Sequence, residues 1–411
     1  MTREYPHIQF RRHWSLSEKT LVELGQCSAI IVAIANVPIT PEQHARLLSI
    51  SLTKGARATT AIEGNTLTEE EVEAIQEGNS ALPPSKQYQE KEVRNILDAF
   101  NSIFDAVAFD GKEELLTPDL LRLFHREIGK ELGEHFDAIP GKFREDQRIV
   151  GTYRCPDFRD VPHLVNRLCE WLEDEFHFKR GQNFVEAVIE AIVSHVYIEW
   201  IHPFGDGNGR TGRLVEFYFL LRAGTPDIAS HILSNHYNDT RPEYYRQLER
   251  ASKTQDLSEF ISYAVQGLRD GLLKTLETVQ RAQFETAWRE YVYDTFKARR
   301  VQHREVFNRQ RDLALAMPLN EWVALNRLPF LTIDLARGYA QLSPRTLLRD
   351  IETLKEMGLI VEDEREQYRT NCDQLLNKKA RRSQKRLLQI GESVQSTLTA
   401  SGSSEHANTT H

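Results

Sequence analysis

The chain has 411 residues, 40% of them hydrophobic and 27% charged, which is the composition of a globular protein rather than a disordered or fibrous one. Its formal net charge of -8 excludes a protein that binds nucleic acid through an overall positive charge. The four cysteines form no C-x-x-C pair, the N-terminus lacks the apolar core of a signal peptide, and no apolar stretch is long enough to span a bilayer. A secreted disulfide framework, a zinc ribbon and a membrane protein are therefore excluded, and a cytoplasmic protein is expected.

Helical patterns dominate the N-terminal part of the sequence. Apolar and small residues recur at helical spacing over Pro41–Ile62, and Glu63-Gly64-Asn65 interrupts this pattern. Thr68 can cap a second helix, because its hydroxyl can accept a hydrogen bond from a free amide of the first turn. Further helices are predicted over residues 88–107 and 117–132.

Residues 141–158 have a different pattern. Ile149 and Val150 stand between glycines there, which predicts a β-hairpin or an extended flap. Helical patterns resume over residues 161–176, 183–200 and 213–223. The pattern over residues 183–200 is strongly apolar, so that helix is predicted to lie in the core.

The C-terminal third begins with two long helical patterns, residues 241–267 and 268–311, which end before Pro318. A compact unit over residues 319–368 follows. Its helices are predicted at residues 321–325, 332–340 and 343–357, and two strands of a wing at residues 359–361 and 367–370. The last stretch, which contains the basic run KKARRSQKR and ends in small polar residues, is predicted to be a disordered tail.

The most informative segment is the loop His202-Pro-Phe-Gly-Asp206-Gly-Asn208-Gly-Arg210-Thr-Gly-Arg213, which follows the apolar helix. Its glycines permit backbone conformations that other residues resist, and a new helix begins near Asn208. The first amides of a helix have no partner inside it and lie at the positive end of its dipole, so they bind anions. Arg210 and Arg213 are three residues apart and project from one face of this helix, where two guanidinium groups suit a polyphosphate.

Two further side chains of the loop suit phosphate chemistry. Asp206 supplies a hard oxygen for Mg²⁺, the ion that normally accompanies a polyphosphate, and His202 can accept a proton near neutral pH. The run Gly207-x-Gly209-x-x-Gly212 also matches a dinucleotide-binding fingerprint, but a helix precedes it and no strand follows, so that fold is excluded. A Walker loop is excluded because no Gly-Lys-Ser/Thr ends the run.

The loop resembles the signature of the Fic family, H-x-F-x-D/E-G-N-G-R-x-x-R, and fills every specified position. The resemblance implies a mainly α fold, with a helical core and a β-hairpin flap, and an enzyme that transfers AMP from ATP to a Ser, Thr or Tyr hydroxyl of a target protein. It implies His202 as the general base and Asp206 as the ligand of Mg²⁺. The implied nucleotide-binding residues of the loop are Gly205, Gly207, Asn208, Gly209, Arg210 and Arg213, the arginines holding the β- and γ-phosphates.

A second match lies upstream, where Thr59-Thr60-Ala61-Ile62-Glu63-Gly64-Asn65 resembles the family's inhibitory motif, S/T-x-x-x-E-G/N. The resemblance implies that Glu63 pairs with Arg213 and occupies the space needed by the γ-phosphate. A buried carboxylate and a guanidinium satisfy each other, so the arginine is then withheld from ATP. The alternative is that Glu63 only ends a helix beside Gly64, and both interpretations can hold together.

Weaker resemblances extend the site. The segment from Gly141 to Gly151 resembles the family flap, whose backbone pairs with the target as an added strand, although an ordinary hairpin would have the same pattern. The flap residues implied in this way are Arg144, Ile149, Val150 and Gly151. Tyr244-Tyr245 resembles a tyrosine pair near the adenine, and because adjacent helical positions point in different directions, at most one of the two is expected to stack on the base.

The C-terminal unit resembles the winged-helix modules appended to many Fic proteins, with Ser343 and Pro344 opening its second helix. DNA is the obvious partner for such a module. In residues 343–358, however, three basic side chains are offset by three acidic ones, and the turn at residues 362–366 is acidic, which disfavours contact with phosphates. A protein is therefore weighted at least equally with DNA as the partner of this unit.

The sequence predicts five parts: an N-terminal helical region with the inhibitory motif (1–112), a Fic core (113–270), a connecting helix (271–317), a winged-helix module (318–372) and a tail (373–411). The expected partners are ATP and a hydroxyl-bearing target protein, and self-modification and a homodimer are left open. Three alternatives also stay open: removal of AMP from a modified protein at the same site, a DNA-binding regulator whose core only senses nucleotide, and a donor other than ATP.

Overall fold

The computed structural model describes residues 5–109, 115–177, 181–299, 303–319 and 321–373. The fold is mainly helical, as predicted, and divides into two compact units, Met1–Gln280 and Arg281–His411. From residue 374 onward, the tail predicted to be disordered lies outside the described residues. Among the helices of the described ranges, none is long and apolar enough to cross a membrane. The four cysteines all lie within those ranges, where they are buried and unpaired.

The α-helices described in the first unit are α1 (Glu18–Ala35), α2 (Pro41–Ile62), α3 (Glu69–Gln76), α4 (Gln87–Phe104), α5 (Pro118–Ile128), α6 (Val161–Glu175), α7 (Phe184–Ile201), α8 (Asn208–Arg222), α9 (Ile232–Asp239), α10 (Arg241–Thr254) and α11 (Ser258–Lys297), the last of which continues into the second unit. α1 and α9 have no counterpart among the predicted helices. The break predicted between residues 267 and 268 lies instead between α10 and α11, because Gln255 adopts a left-handed conformation (φ 56°) that ends α10. The single connecting helix predicted over residues 271–317 is instead interrupted after Lys297.

Local capping fixes the helix ends nearest the predicted site. Thr40 caps the start of α2, and the predicted cap Thr68 forms a capping box at the start of α3. α2 ends one residue before Glu63, and Gly64 follows with φ 103°, a left-handed conformation that glycine adopts without strain. The chain therefore turns sharply just after Glu63, which leaves this side chain at the C-terminal end of α2.

α7 is the central helix of the first unit, and its residues from Ala187 to Ile198 are all buried. This burial confirms the core helix predicted from the apolar pattern. α8 packs along α7, and α1, α2, α4, α5 and α6 pack against one or the other of these two helices. Because neighbours surround α7, its C-terminal end has a fixed position, and the loop that begins at His202 starts from it.

The predicted hairpin forms with very short antiparallel strands, β1 (Ile149–Val150) and β2 (Tyr153–Arg154), and with Gly151 in the turn at φ 58°. The Tyr153 hydroxyl donates a hydrogen bond to the Trp200 carbonyl at 2.7 Å, which fastens the hairpin to the end of α7. Ile149 and Val150 are 65% and 48% exposed. The hairpin therefore presents an apolar edge to solvent close to the His202 loop.

The helices and strands that the second unit adds are α12 (Arg304–Ala316), β3 (Val323–Ala324), α13 (Ile333–Tyr339), α14 (Pro344–Glu356), β4 (Ile360–Glu362) and β5 (Gln367–Thr370). The strands form an antiparallel sheet in the order β3-β5-β4. The helix predicted at residues 321–325 is wrong, because Val323 and Ala324 pair with β5 instead. Pairing with a strand far away in the sequence outweighs the local helical pattern there. The helices predicted at α13 and α14 and the strands predicted at β4 and β5 are confirmed.

Candidate active site

The loop between α7 and α8 is shaped by its own backbone and one side chain. His202 follows α7 in a left-handed conformation (φ 50°), and Gly207 precedes α8 in another (φ 77°). The Asn208 side chain accepts a hydrogen bond from the Phe204 amide at 2.9 Å and donates one to the Phe204 carbonyl at 3.0 Å. The Asn208 side chain therefore closes the loop, and the groups left to meet an anion are the backbone amides at the start of α8.

Arg144 lies beneath this loop and not on the hairpin. Its guanidinium donates hydrogen bonds to the carbonyls of His202 at 2.7 Å, Pro156 at 2.6 Å and Asp146 at 2.7 Å. The side chain is buried, and the carbonyl groups of the surrounding backbone accept hydrogen bonds from its guanidinium. Arg144 therefore ties the predicted flap segment, at Asp146 and Pro156, to the end of α7 at His202, and its role in the flap stays a prediction.

His125, on α5, is a second support that the sequence analysis missed. The Gly141 amide donates to His125 Nδ1 at 2.9 Å, and Nε2 lies 2.9 Å from the Asp206 carbonyl, to which it donates. These two bonds fix the neutral tautomer, and burial lowers the pKa of His125 to about 4. The ring also stacks on Phe204, with the ring centres 3.7 Å apart. A single histidine in a helical pattern carries no sequence signal for this role.

His202 is held in its neutral form by its surroundings. The pKa of His202 is lowered to about 4: burial is the largest cause, the charges of Arg144 and Arg148 also lower the pKa, and the Glu199 carbonyl and the Glu63 carboxylate raise it. The imidazole is therefore neutral at pH 7. The influence of Glu63 on this pKa also shows that the predicted inhibitory residue lies near the predicted base.

Arg213 is buried and contacts the predicted inhibitory motif at two residues. Its Nη2 lies 2.6 Å from Glu63 Oε1, and its Nε and Nη2 donate to the Thr59 hydroxyl and carbonyl at 2.7 and 2.9 Å. Burial would raise the pKa of Glu63, but the charges of Arg213 and Arg210 outweigh burial and hold the pKa below its usual value. Glu63 is therefore ionised and paired with Arg213, and Thr59, the first position of the motif, holds the same guanidinium.

Arg210 is also buried, and two carboxylates hold it. Its Nη1 donates to Glu92 Oε1 at 2.5 Å, and its Nη2 donates to Asp206 Oδ1 at 2.9 Å. The guanidinium also lies 5.4 Å from the centre of the Phe136 ring. Glu92, on α4, was missed by the sequence analysis, because no motif links this helix to the loop.

The two arginines retain hydrogen-bonding capacity that the protein does not use. Among the described groups, none accepts a hydrogen bond from Arg210 Nε or from Arg213 Nη1, although both atoms are buried. Buried donors without a partner are costly, and a ligand that supplies acceptors would satisfy them. Together with the free amides of α8, these atoms favour an anionic ligand.

Gly209 marks the point where the charged groups converge. A Cβ atom on this residue would lie 2.3 Å from Glu63 Oε1 and 3.0 Å from both Arg213 Nη1 and Glu199 Oε1. Only glycine leaves room for these groups at the N-terminal end of α8. The carboxylate of Glu63 therefore lies against the first turn of α8.

Glu199, at the end of α7, is a second carboxyl group beside this point that the sequence analysis missed. The pKa of Glu199 is raised to about 7: burial is the largest cause, the nearby charge of Glu63 also raises the pKa, and Arg213 lowers it. Two carboxyl groups thus face one guanidinium. Glu63 is ionised, and Glu199 is partly protonated near neutral pH.

Asp206 fits the role of a Mg²⁺ ligand only together with a phosphate ligand. Its Oδ1 already accepts hydrogen bonds from Arg210 and from the Gly207 amide. Within the described ranges, no group of three or more His, Cys, Asp or Glu side chains is arranged to hold a metal ion. Mg²⁺ is commonly held by one carboxylate together with phosphate oxygens and water, so this single partly exposed aspartate suits Mg²⁺ that arrives with a polyphosphate.

The structure separates the two predicted adenine contacts. Tyr244 is buried, and its hydroxyl lies 2.8 Å from Nε2 of the core residue His195. Tyr245 is 45% exposed, and its hydroxyl donates to the Ile62 carbonyl at 3.2 Å, next to Glu63. Of this pair, Tyr245 is the residue that can meet a ligand from solvent.

Comparison with known proteins connects this geometry to a family. Residues 115–220 match the Fic/DOC family. The chain is 30% identical over 203 residues to the protein adenylyltransferase Fic of Nematostella vectensis, covering 49% of this chain and 44% of that protein. It is 29% identical over 205 residues to the protein adenylyltransferase fic-1 of Caenorhabditis elegans, covering 50% of this chain and 37% of that protein. The chain therefore spans less than half the length of these two relatives.

The fold is also shared with a solved structure. A Fic family protein from Desulfovibrio desulfuricans G20 superposes with a TM-score of 0.54 at 21% identity, covering 88% of this chain and 98% of that one. The segment that matches the family contains the whole loop from His202 to Arg213 together with α5, α6, α7 and the hairpin, whereas Glu63 and Glu92 lie outside it. The chain therefore contains a Fic/DOC domain over residues 115–220.

Proposed function

We propose that this protein transfers AMP from ATP to a hydroxyl group of a target protein; two of its relatives are named protein adenylyltransferases. The observation that carries the proposal is that one loop, from the end of α7 to the start of α8, combines a neutral histidine with two buried arginines that retain unsatisfied donors. A triphosphate supplies acceptors for those donors, and the histidine supplies the proton acceptor that a hydroxyl nucleophile needs.

The proposed step assigns a task to each part of the loop. His202 takes the proton of the target hydroxyl, whose oxygen attacks the α-phosphorus of ATP. The bond from the α-phosphorus to the oxygen that bridges it to the β-phosphorus breaks, and pyrophosphate leaves. Arg210, Arg213 and the first amides of α8 stabilise the charge on the phosphate oxygens. Mg²⁺, with Asp206 as its protein ligand, would neutralise part of the same charge when it is bound.

The hairpin next to the loop is the proposed docking site of the target. Its apolar side chains are exposed, and its strands are only two residues long, so a target segment can be added to its edge as a further strand. Backbone pairing would bring a hydroxyl of that segment towards His202 without requiring a particular sequence. This geometry leaves the identity of the target open.

Autoinhibition is the second part of the proposal. Glu63 pairs with Arg213 at 2.6 Å, and its carboxylate lies at the N-terminal end of α8. A γ-phosphate that binds Arg213 must displace this carboxylate, because the two negative groups need the same donors. The resting protein is therefore expected to transfer AMP slowly until Glu63 withdraws.

A labelling experiment tests the proposed transfer. The Glu63→Gly variant, Mg²⁺ and a cell lysate are incubated with ATP radiolabelled at either the α- or the γ-phosphorus. AMP transfer predicts labelled protein from the α-labelled ATP only, and mass spectrometry then identifies the modified residue in the target or in the chain itself. Label from the γ-position would indicate phosphorylation, and release of AMP from a modified target without ATP would indicate hydrolytic removal of AMP by water, which the names of the relatives do not favour.

The C-terminal unit is proposed to be a winged-helix module that contacts protein rather than DNA. Phe330 and Ile333 are 74% and 72% exposed, which is unusual for large apolar side chains on a surface that binds phosphates. Arg345 and Arg349 on α14 are exposed as well, so a gel shift with DNA at increasing salt is the direct test of DNA as the partner.

The four buried thiols support our assignment of the protein to the reducing cytoplasm, and a homodimer stays open.

The inhibition is expected to weaken as pH rises. Glu199 gains a proton more readily while Glu63 lies beside it, so the inhibited state binds more protons than the state with Glu63 withdrawn. Raising the pH through about 7 ionises Glu199, and the two carboxylates then repel each other. The ratio of the transfer rate of the unmodified protein to that of the Glu63→Gly variant should rise by up to about tenfold between about pH 6 and pH 8.5. Glu199→Gln, which cannot ionise, should abolish this rise, and a rise that persists in this variant would contradict the explanation.

A further inference from the structure

We propose that Glu92 is a second regulatory carboxylate. It pairs with Arg210, and its hydrogen bond with Asn65 holds the segment that follows Glu63. Arg210 and Arg213 are therefore withheld from nucleotide together. This inference rests on the proposed function, because it describes how the same site is regulated. Glu92 lies on α4, outside the residues that match the family. It is distant from the loop in sequence and meets Arg210 because the chain folds α4 against α8.

The first contact is an ion pair between a buried arginine and a partly buried glutamate. Arg210 is only 4% exposed, and its Nη1 donates to Glu92 Oε1 at 2.5 Å. Asp206 takes a second donor of the same guanidinium at 2.9 Å. Two carboxylates thus compensate one positive charge, so the attraction that Arg210 offers to a phosphate is small as long as Glu92 stays in place.

The second contact links Glu92 to the inhibitory segment. Asn65, two residues after Glu63, donates to Glu92 Oε2 at 3.1 Å and to the Gln89 carbonyl at 3.1 Å. The next residue, Thr66, donates its amide to the Gln89 side chain at 3.1 Å. Gln89 and Glu92 are three residues apart on α4 and form one face that holds the chain where it leaves α2.

These contacts make the two arginines interdependent. Each oxygen of Glu92 has its own partner, Arg210 on one side and Asn65 on the other. A phosphate that takes Arg210 places negative charge beside Glu92, which must then move away and release Asn65. The segment that positions Glu63 is thereby loosened, and Arg213 becomes available in turn. Conversely, withdrawal of Glu63 removes one anchor of the same segment.

The coupling is testable by nucleotide binding without any transfer reaction. The titrated ligand is the Mg²⁺ complex of α,β-methylene ATP, which retains the triphosphate charge but cannot donate AMP. Its dissociation constant is measured by calorimetry for the full-length chain, for Glu92→Gln, for Glu63→Gly and for the double variant. Glu92→Gln should tighten binding about fivefold or more when Glu63 is present, and by less than about twofold when Glu63 is absent.

Matched variants separate this role from a structural one. Glu90→Gln, on the same helix, removes a carboxylate that pairs with Arg94 on the surface and should leave binding unchanged. Asn65→Asp places a second carboxylate against Glu92 and should reproduce the effect of Glu92→Gln with Arg210 and its partner both intact. Equal tightening by Glu92→Gln in both backgrounds, or weaker binding in both, would overturn the inference. If Glu63→Gly binds nucleotide and transfers AMP while the coupling is absent, only this inference fails; if no variant binds nucleotide, the proposed function fails with it.

Discussion

Replacement of His202 by alanine is expected to reduce AMP transfer by about 10²–10⁴-fold, the contribution usual for a general base, and to leave ATP binding nearly unchanged. The reason is the separation of tasks within the loop. The described contacts of the arginines are made with Glu63, Thr59, Glu92 and Asp206 and not with the imidazole, so the phosphate-binding groups should persist without it. Initial rates with α-labelled ATP, and calorimetric binding of the same nucleotide, measure the two tasks separately in the Glu63→Gly background.

A surface histidine provides the control for this substitution. His44 lies on α2, away from the loop, and its Nε2 is 3.2 Å from Asp227 Oδ1. The His44→Ala variant should therefore transfer AMP at the rate of its parent. A His202→Ala variant that melts at the parent temperature and still transfers AMP would remove the assignment of His202 as the base. Because burial and Arg144 keep its pKa near 4, the rate of the Glu63→Gly variant, which lacks the inhibitory carboxylate, should not decline until the solution becomes acidic.

The loop itself was predictable because its chemistry is contiguous in the sequence. The residues from His202 to Arg213 need one helix end, one helix start and the glycines between them, and all of these are set by local spacing. The pairing partner Glu63 was accessible because its motif is also local. Its contact with Arg213 then follows from the packing of α2 against α8.

The supports of the loop were not predictable in the same way. His125, Glu92 and Glu199 are single residues on α5, α4 and α7, and an isolated charged residue in a helical pattern resembles an ordinary surface position. Their roles depend on which helix faces meet, and the spacing within one helix does not contain that information. Arg144 was assigned to the flap because it is adjacent in sequence, but the sequence did not show that its guanidinium also reaches the His202 carbonyl at the end of α7.

The fold shows the same division between local and long-range determinants. α2 spans the predicted residues because Thr40 and Gly64 fix its two ends by local capping. β3, in contrast, consists of two residues whose partners belong to β5, far along the chain. Strand pairing of this kind leaves little trace in a short apolar segment, so a helix was predicted there instead.

Substitution of Glu63 by glycine is expected to raise the rate of AMP transfer by about tenfold or more, equivalent to about 1.4 kcal/mol of bias towards the inhibited state. The substitution removes the carboxylate that lies 2.6 Å from Arg213 and leaves a buried guanidinium without its ionic partner. Such a variant should unfold at a lower temperature without ligand, and it should gain more stability from ATP than the parent does, because the γ-phosphate replaces the lost charge. Initial rates of labelling and thermal unfolding with and without Mg²⁺ and ATP measure both effects.

The chain contains a close control for the alternative that Glu63 merely ends a helix. The same three residues, Glu77-Gly78-Asn79, end α3, with Gly78 also in a left-handed conformation and Glu77 exposed. Glu77→Gly therefore makes the same change at the same position of a helix, but without an arginine partner among the described contacts. If both substitutions changed the rate equally, the effect would come from the helix end. A rise confined to Glu63→Gly would require the contact with Arg213, because the ion pair is the feature that distinguishes the two helix ends.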